Sequence, residues 1–222
     1  PSSTGLNSKP IEVHTSTFEC LLTGGGSFKR LWIGRFKQSH DSKSCSLRLG
    51  SDSVVSVYEP IRKLTAADSV HAFSCGEPAL DLSLQRYALV NQQVNSAQTY
   101  VCCKTGVVTG FYSLTVGSVA PTSTTPRVIK GLSRHPVPVM ILARLAVDGA
   151  HQHKGVGQAL LRDALLRTAQ AADIVGIRAL LVHAKSKAAR DWYLGFDFEP
   201  SPSDPMHLFL LLKDLKSSIG SP

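Results

Sequence analysis

The stretch from Val139 to Ala164, VMILARLAVDGAHQHKGVGQALLRDA, constrains this chain more than any other. Val139 to Val147 is apolar except for Arg144, and its length and β-branched content predict a strand buried on most of both faces. A short polar loop follows, and Gly155-Val156-Gly157 then opens an amphipathic helix. A strand that feeds a glycine turn at a helix N-terminus is a physical device for holding phosphate. The first helical turn has free N–H groups and a partial positive charge, and glycine removes the Cβ that would keep an anion away. The turn is not the dinucleotide fingerprint, because Leu160 stands where a third glycine is needed, and it lacks the Gly-Lys-Ser/Thr end of a P-loop.

The rest of the chain divides unevenly. Residues 1–56 hold twelve serines and a Gly24-Gly25-Gly26 run with no sustained periodicity, which predicts a disordered or non-native extension. Order is expected over 57–216, with a flexible tail at 217–222. The five cysteines (Cys20, Cys45, Cys75, Cys102 and Cys103) include no C-x-x-C pair, so they read as reduced thiols of a cytoplasmic protein with no metal site. No apolar run approaches the 18 or so residues that cross a bilayer, so no membrane role is expected. The net charge of +8 favours an anionic partner.

In chain order, Tyr58–Leu64 reads as a strand and Thr65–Asp68 as the cap of a short helix through Val70, His71 and Phe73. A second helix is expected from Pro78 to about Val90, with Leu80, Leu84 and Tyr87 facing inward. Strands follow at Thr99–Lys104 and Val107–Val119, joined at Thr105-Gly106. After a loop at Ala120–Pro138 come the strand Val139–Val147 and a helix over 155–172 with Leu160, Leu161, Ala164, Leu165 and Thr168 inward. Asp163 precedes Arg167 by four residues as a surface pair. A strand at Arg178–His183, a helix from Ser186 to Leu194 and a last strand at Met206–Lys213 complete an α+β arrangement, a mixed central β-sheet flanked by helices.

Gln152-x-x-Gly155-x-Gly157, placed after Leu145-Ala146-Val147, resembles the acetyl-CoA signature of the GNAT acetyltransferases, and the order of elements matches that fold. The resemblance implies a pantetheine arm paired with backbone at Leu145, Ala146 and Val147. It also implies a pyrophosphate on the N–H groups of Gln152, His153, Lys154, Gly155, Val156, Gly157 and Gln158. Tyr193, in Asp191-Trp192-Tyr193, is then the acid that protonates the leaving thiolate. Relatives place glycine-phenylalanine a few residues after this tyrosine; here the pair is Asp197-Phe198, so Asp197 is expected to take a positive φ if glycine did. Ser83, where relatives carry an aromatic, is a second departure. No carboxylate sits on the central strand. The histidines His135, His151, His153 and His183 read as loop or core residues before proton carriers.

The segments Leu64-Thr65 through Phe73 with Cys75-Gly76-Glu77-Pro78-Ala79-Leu80-Asp81, Thr99-Tyr100-Val101-Cys102, Gly110-Phe111-Tyr112-Ser113-Leu114, Ile141 to Asp148, and Gly155-Val156-Gly157 look like the GNAT toxins of bacterial type II toxin–antitoxin systems. That resemblance implies acetylation of the α-amino group of aminoacyl-tRNA, a ribbon-helix-helix antitoxin, and a homodimer. Arg86, Arg127, Lys130, Arg134 and Arg144 are the candidate tRNA contacts, and Arg144 stands out because a charge in so apolar a strand is costly unless it is paired or lines a cleft. The alternatives are acetylation of a small-molecule amine or a protein N-terminus, or a binding module without turnover. An α-amine, with a pKa near 8, needs far less deprotonation than a lysine side chain near 10.4, which fits a site without a strong base.

Overall fold

The computed structural model describes residues 14–15, 58–132 and 135–219. The expected extension over 1–56 therefore lies outside the described residues apart from the two-residue strand His14–Thr15. The main sheet runs β1 (Arg62–Lys63), β2 (Gln98–Lys104), β3 (Val107–Val119), β4 (Val137–Val147), β5 (Ala179–His183), β7 (His207–Leu211) and β6 (Glu199–Pro200) in that spatial order. Only the β4–β5 pair along this path is parallel. Helix α3 (Val156–Ala171) is the crossover that makes it so. The expected GNAT-type α+β architecture is the one present.

The sheet separates apolar clusters on its two faces. Under α3 and α4 (Lys187–Leu194) lie Leu142, Leu145, Val147, Leu160, Leu161, Ala164, Leu165, Leu180, Val182, Tyr193, Leu208 and Leu210. On the opposite face, Leu80, Leu84 and Ala88 of helix α1 pack on Val101, Cys103, Val108, Phe111 and Ala146. Helix α1 runs over 78–93, as α-helix at Pro78–Leu82, a π turn at Ser83–Tyr87, and α-helix at Ala88–Gln93. The wider π turn carries Tyr87 outward, to 51 % exposure, and places Ala88 inward. This corrects the expectation that Tyr87 faces the core.

Three further expectations are corrected. Only Arg62–Lys63 of the first strand enters the ladder, although Glu59 and Leu64 donate backbone hydrogen bonds to Cys103 and Thr99 beside it. No helix follows Thr65–Asp68. The Asp68 carboxylate accepts from the backbone and hydroxyl of Thr65 and from Arg62, so it staples a turn instead of capping a helix. At the other end the last strand stops at Leu211, and α5 (Leu212–Ile219), anchored by buried Leu212 and Leu215, takes the last residues of the expected strand and reaches into the expected tail as far as Ile219. The expected Asp163–Arg167 pair is present, and Asp163 also accepts the hydroxyl of buried Tyr112, tying α3 to β3.

The strand–helix packing is close at Gly110. A Cβ there meets Leu160 Cδ1 at 2.9 Å, Val156 Cγ1 at 3.1 Å and the Ala146 carbonyl oxygen at 3.2 Å. Gly110→Ala is therefore expected to destabilise the fold by about 1–3 kcal/mol through overpacking, read as a lowered urea midpoint; an unchanged midpoint contradicts this packing.

Candidate active site

The site begins at an irregularity in β4. Against β3, Ser113 faces Arg144 but Leu114 faces Leu142, so Ala143 is an extra residue, a β-bulge. The bulge resets the alternation of side chains: Leu142 and Leu145 both lie in the cluster under α3, although they are three residues apart. At the same place β5 leaves β4. The parallel pairs run from Val139↔Ala179 to Leu142↔Val182 and no further, while β4 continues to Val147. The two strands form a fork whose β4 edge accepts an extended partner. The dipeptide His14–Thr15 pairs there in parallel with Arg144 and Leu145.

The loop after β4 is tied down by side chains. Asp148 accepts from the backbone N–H of Ala150 and of Ser74, and Gly149 N–H donates to the Ser74 carbonyl. The Gln152 amide donates to the carbonyls of Cys75 and Val147, both at 3.0 Å. Its side chain is thus a brace inside the loop. Gly155 precedes α3 at φ +82°, a conformation that glycine takes without strain, and Val156 and Gly157 are buried as the helix starts. His153 also has a positive φ, 60°. Lys154 donates to the Ala150 carbonyl at 2.7 Å and stays at the surface. Gln158 is exposed beside them. The arrangement leaves a helix N-terminus of 16 residues facing the end of the fork.

Tyr193 lies in α4, fully buried with Leu180, Val182 and Leu208. Ser186 caps this helix by accepting from Ala189 N–H. The rings of Trp192 and Phe198 meet Tyr193 edge-on at 4.9 and 5.3 Å. Its hydroxyl has no hydrogen-bond partner among the described residues. Burial raises its pKa, so the phenol is protonated at neutral pH. An unsatisfied buried hydroxyl costs about 1–3 kcal/mol, which a ligand atom at that position returns. Asp197 has φ 63°, the positive value expected where relatives carry glycine.

The five basic candidates do not form one patch. Arg127 is held by Glu199 and Asp214, which neutralise its charge at the surface. Arg86 and Lys130 are exposed, and Arg134 lies outside the described residues. Arg144 differs. It sits beside the bulge, half-buried, with its Nε buried and without a hydrogen-bond partner among the described residues, and desolvation lowers its pKa. The histidines are dispersed as well. His151 Nδ1 lies 3.0 Å from the Tyr58 hydroxyl, with its pKa lowered by burial and then by Lys154; His135 is exposed; and His183 stacks on His207 at 3.9 Å. Cys75 and Cys103 are free and buried, and burial pushes their thiols up to about 12 and about 11. Among the described residues no group of His, Cys, Asp or Glu is arranged to hold a metal ion, and no helix is long and apolar enough to cross a membrane.

Sequence reasoning missed the contacts between distant segments. Glu77, just before α1, forms an ion pair with Lys185, just before α4. Arg178 donates to the carbonyls of Val128 and Lys130 and pins the loop before β4. No periodicity in the chain signals either one.

Because Arg144 lacks a partner that compensates its desolvation, Arg144→Leu is expected to leave the urea midpoint at or above that of the parent chain. A loss of more than about 1 kcal/mol means the guanidinium supports the fold instead.

Residues 95–200 match the model of the acetyltransferase (GNAT) domain. A tRNA-acetylating toxin from Mycobacterium tuberculosis (strain ATCC 25618 / H37Rv) is 48% identical over 166 residues, covering 75% of this chain and 99% of that protein. AtaT complexed with acetyl-methionyl-tRNAfMet superposes with a TM-score of 0.67 at 26% identity, over 72% of this chain and 98% of that one. A Tyr-to-Phe variant of the AtaT toxin bound to the C-terminus of the antitoxin AtaR gives 0.65 at 25%, over 74% and 99%. With the forked sheet and glycine turn in place, the chain belongs to the GNAT acetyltransferases, in the family of the tRNA-acetylating toxins.

Proposed function

We propose that this chain transfers the acetyl group of acetyl-CoA to the α-amino group of aminoacyl-tRNA and thereby stops the charged tRNA from serving translation. Acetyl-CoA, when bound, supplies an acyl group on a good leaving thiolate. The β4 edge at Leu145, Ala146 and Val147 suits the amide-bearing pantetheine arm, and His14–Thr15 must leave that edge for the arm to enter. Gln152, His153, Lys154, Gly155, Val156, Gly157 and Gln158 hold the pyrophosphate, chiefly through backbone N–H groups at the start of α3.

The neutral amine attacks the acyl carbon, the C–N bond forms and the C–S bond breaks. Backbone N–H groups of β4 beyond the bulge stabilise the charge that develops on the acyl oxygen. The Tyr193 hydroxyl gives its proton to the departing sulfur and regains one from solvent, while the amine loses its own to water. Arg144, on the face opposite α3, offers its guanidinium to the acceptor end. Arg86 and Lys130 contribute surface charge; Arg127 adds little, since two carboxylates hold it. The single observation that carries the assignment is the buried Tyr193 hydroxyl, without a hydrogen-bond partner among the described residues and in one cluster with Leu142, Leu145, Leu180 and Val182 of the two diverging strands.

The remaining features of this reading rest on the resemblance to the toxin family. The chain pairs with an antitoxin of ribbon-helix-helix type, works as a homodimer in the cytoplasm where charged tRNA is used, and has its catalytic domain from residue 57 onward. Transfer of label from acetyl-CoA to bulk charged tRNA, beside the same pool deacylated, tests the activity. Label is expected only on the charged pool, and Tyr193→Phe is expected to cut the rate by about 10²–10⁴-fold while acetyl-CoA still binds. Label on neither pool, with acetyl-CoA bound, overturns the assignment to aminoacyl-tRNA.

A further inference from the structure

The Glu77–Lys185 ion pair spans the mouth of the fork. Lys185 follows β5 by two residues. Leu180, Val182 and Ala184 turn towards α3 and α4, whereas Ala179 and Leu181 turn to the other face. By that alternation Lys185 leaves the sheet on the face opposite α3. Glu77 comes to the same face from the other wall, since it leads α1, which packs on that side. Glu77 is fixed to the β4 end of the fork through its neighbours. Ser74 bonds Asp148 and Gly149, and the Cys75 carbonyl takes the Gln152 amide. The pair thus bridges the C-terminal ends of the two diverging strands. It lies on the face that also carries Arg144, opposite α3.

An ion pair at the acceptor's entrance poses a problem of charge. A polyanion must approach past Glu77, and a carboxylate there repels it. The pair is also weakly held. The side chains are 34 % and 29 % exposed, where such pairs contribute at most about 1 kcal/mol. A phosphodiester is a good competitor for an ammonium ion under those conditions.

We infer that Lys185 is the acceptor's phosphate-binding residue at the mouth of the fork, and that Glu77 is its resting counter-ion, displaced when the 3′ end of the tRNA docks. This rests on the aminoacyl-tRNA reading above. The lysine is kept extended across the opening until a phosphate takes it, and the approaching strand meets a neutralised carboxylate instead of a bare one. No covalent step is involved.

The two partners then have opposite effects, which no purely structural ion pair produces. With charged tRNA as acceptor, Lys185→Met is expected to raise the acceptor KM about 5–10-fold. It is also expected to reduce the slope of log KM against log salt by about one, with Lys185→Arg restoring both. Glu77→Gln is expected to lower the acceptor KM about threefold by removing the competitor. The shifts fall on acceptor KM rather than on kcat or the KM for acetyl-CoA. Equal losses from Glu77→Gln and Lys185→Met, an unchanged acceptor KM in both, or a shift confined to acetyl-CoA KM overturns the inference while leaving the activity in place. A parent chain that fails to acetylate charged tRNA overturns both.

Discussion

The bulge at Ala143 is the constraint on which the site depends. An unbroken β4 would keep its alternation and could stay paired with β5 to its end. One extra residue shifts the alternation, bends the strand and coincides with the last β4–β5 pair at Leu142↔Val182. Everything functional is placed relative to that break. The backbone edge beyond it faces a gap, Arg144 is turned onto the face opposite α3, and Tyr193 is buried beneath the diverging strands. Ten pairs with β3 hold β4 in place while it gives up β5 beyond Leu142.

On the proposed mechanism the two faces of the sheet give the reaction two separate approaches. The glycine turn leads into α3 on one face, and its N–H groups would serve the donor. The segment before α1, the residues after β5 and Arg144 lie towards the other and would serve the acceptor. The segment Ser74–Glu77 connects the two, because it is hydrogen-bonded to the donor loop through Asp148, Gly149 and Gln152 and reaches Lys185 across the gap. Among the described residues the Tyr193 hydroxyl and the Arg144 Nε both carry an unreturned desolvation cost. Unsatisfied buried groups are expected where a ligand completes them, and both adjoin the fork.

Local features of the fold were legible in the sequence. The apolar run predicted β4, the inward stripe of α3 is fully buried, and Thr105-Gly106 turns with both residues at positive φ as a two-residue hairpin requires. The glycine turn stands before the helix as expected, with Gly155 at φ +82°, and Asp197 has the positive φ that a glycine substitute would need there. What the sequence concealed depends on distant partners. The π turn in α1 is selected by packing, so Tyr87 was placed on the wrong side. Asp68 resembles a helix cap until Arg62 is seen beside it. Arg127 reads as a free cation because Glu199 and Asp214 are 72 and 87 residues away. The last helix contains few apolar residues, and only the burial of Leu212 and Leu215 distinguishes it from a polar tail.

The proposed mechanism makes the fork beyond the bulge the donor's slot and Tyr193 its acid. A crystal structure of the chain with acetyl-CoA tests this most directly. The pantetheine amides are expected to pair with the β4 backbone at Leu145 and Val147, the pyrophosphate to sit on the first turn of α3, and the sulfur to lie within hydrogen-bond reach of the Tyr193 hydroxyl. A thioester bound outside the fork, or a sulfur that leaves this hydroxyl without a partner, contradicts it.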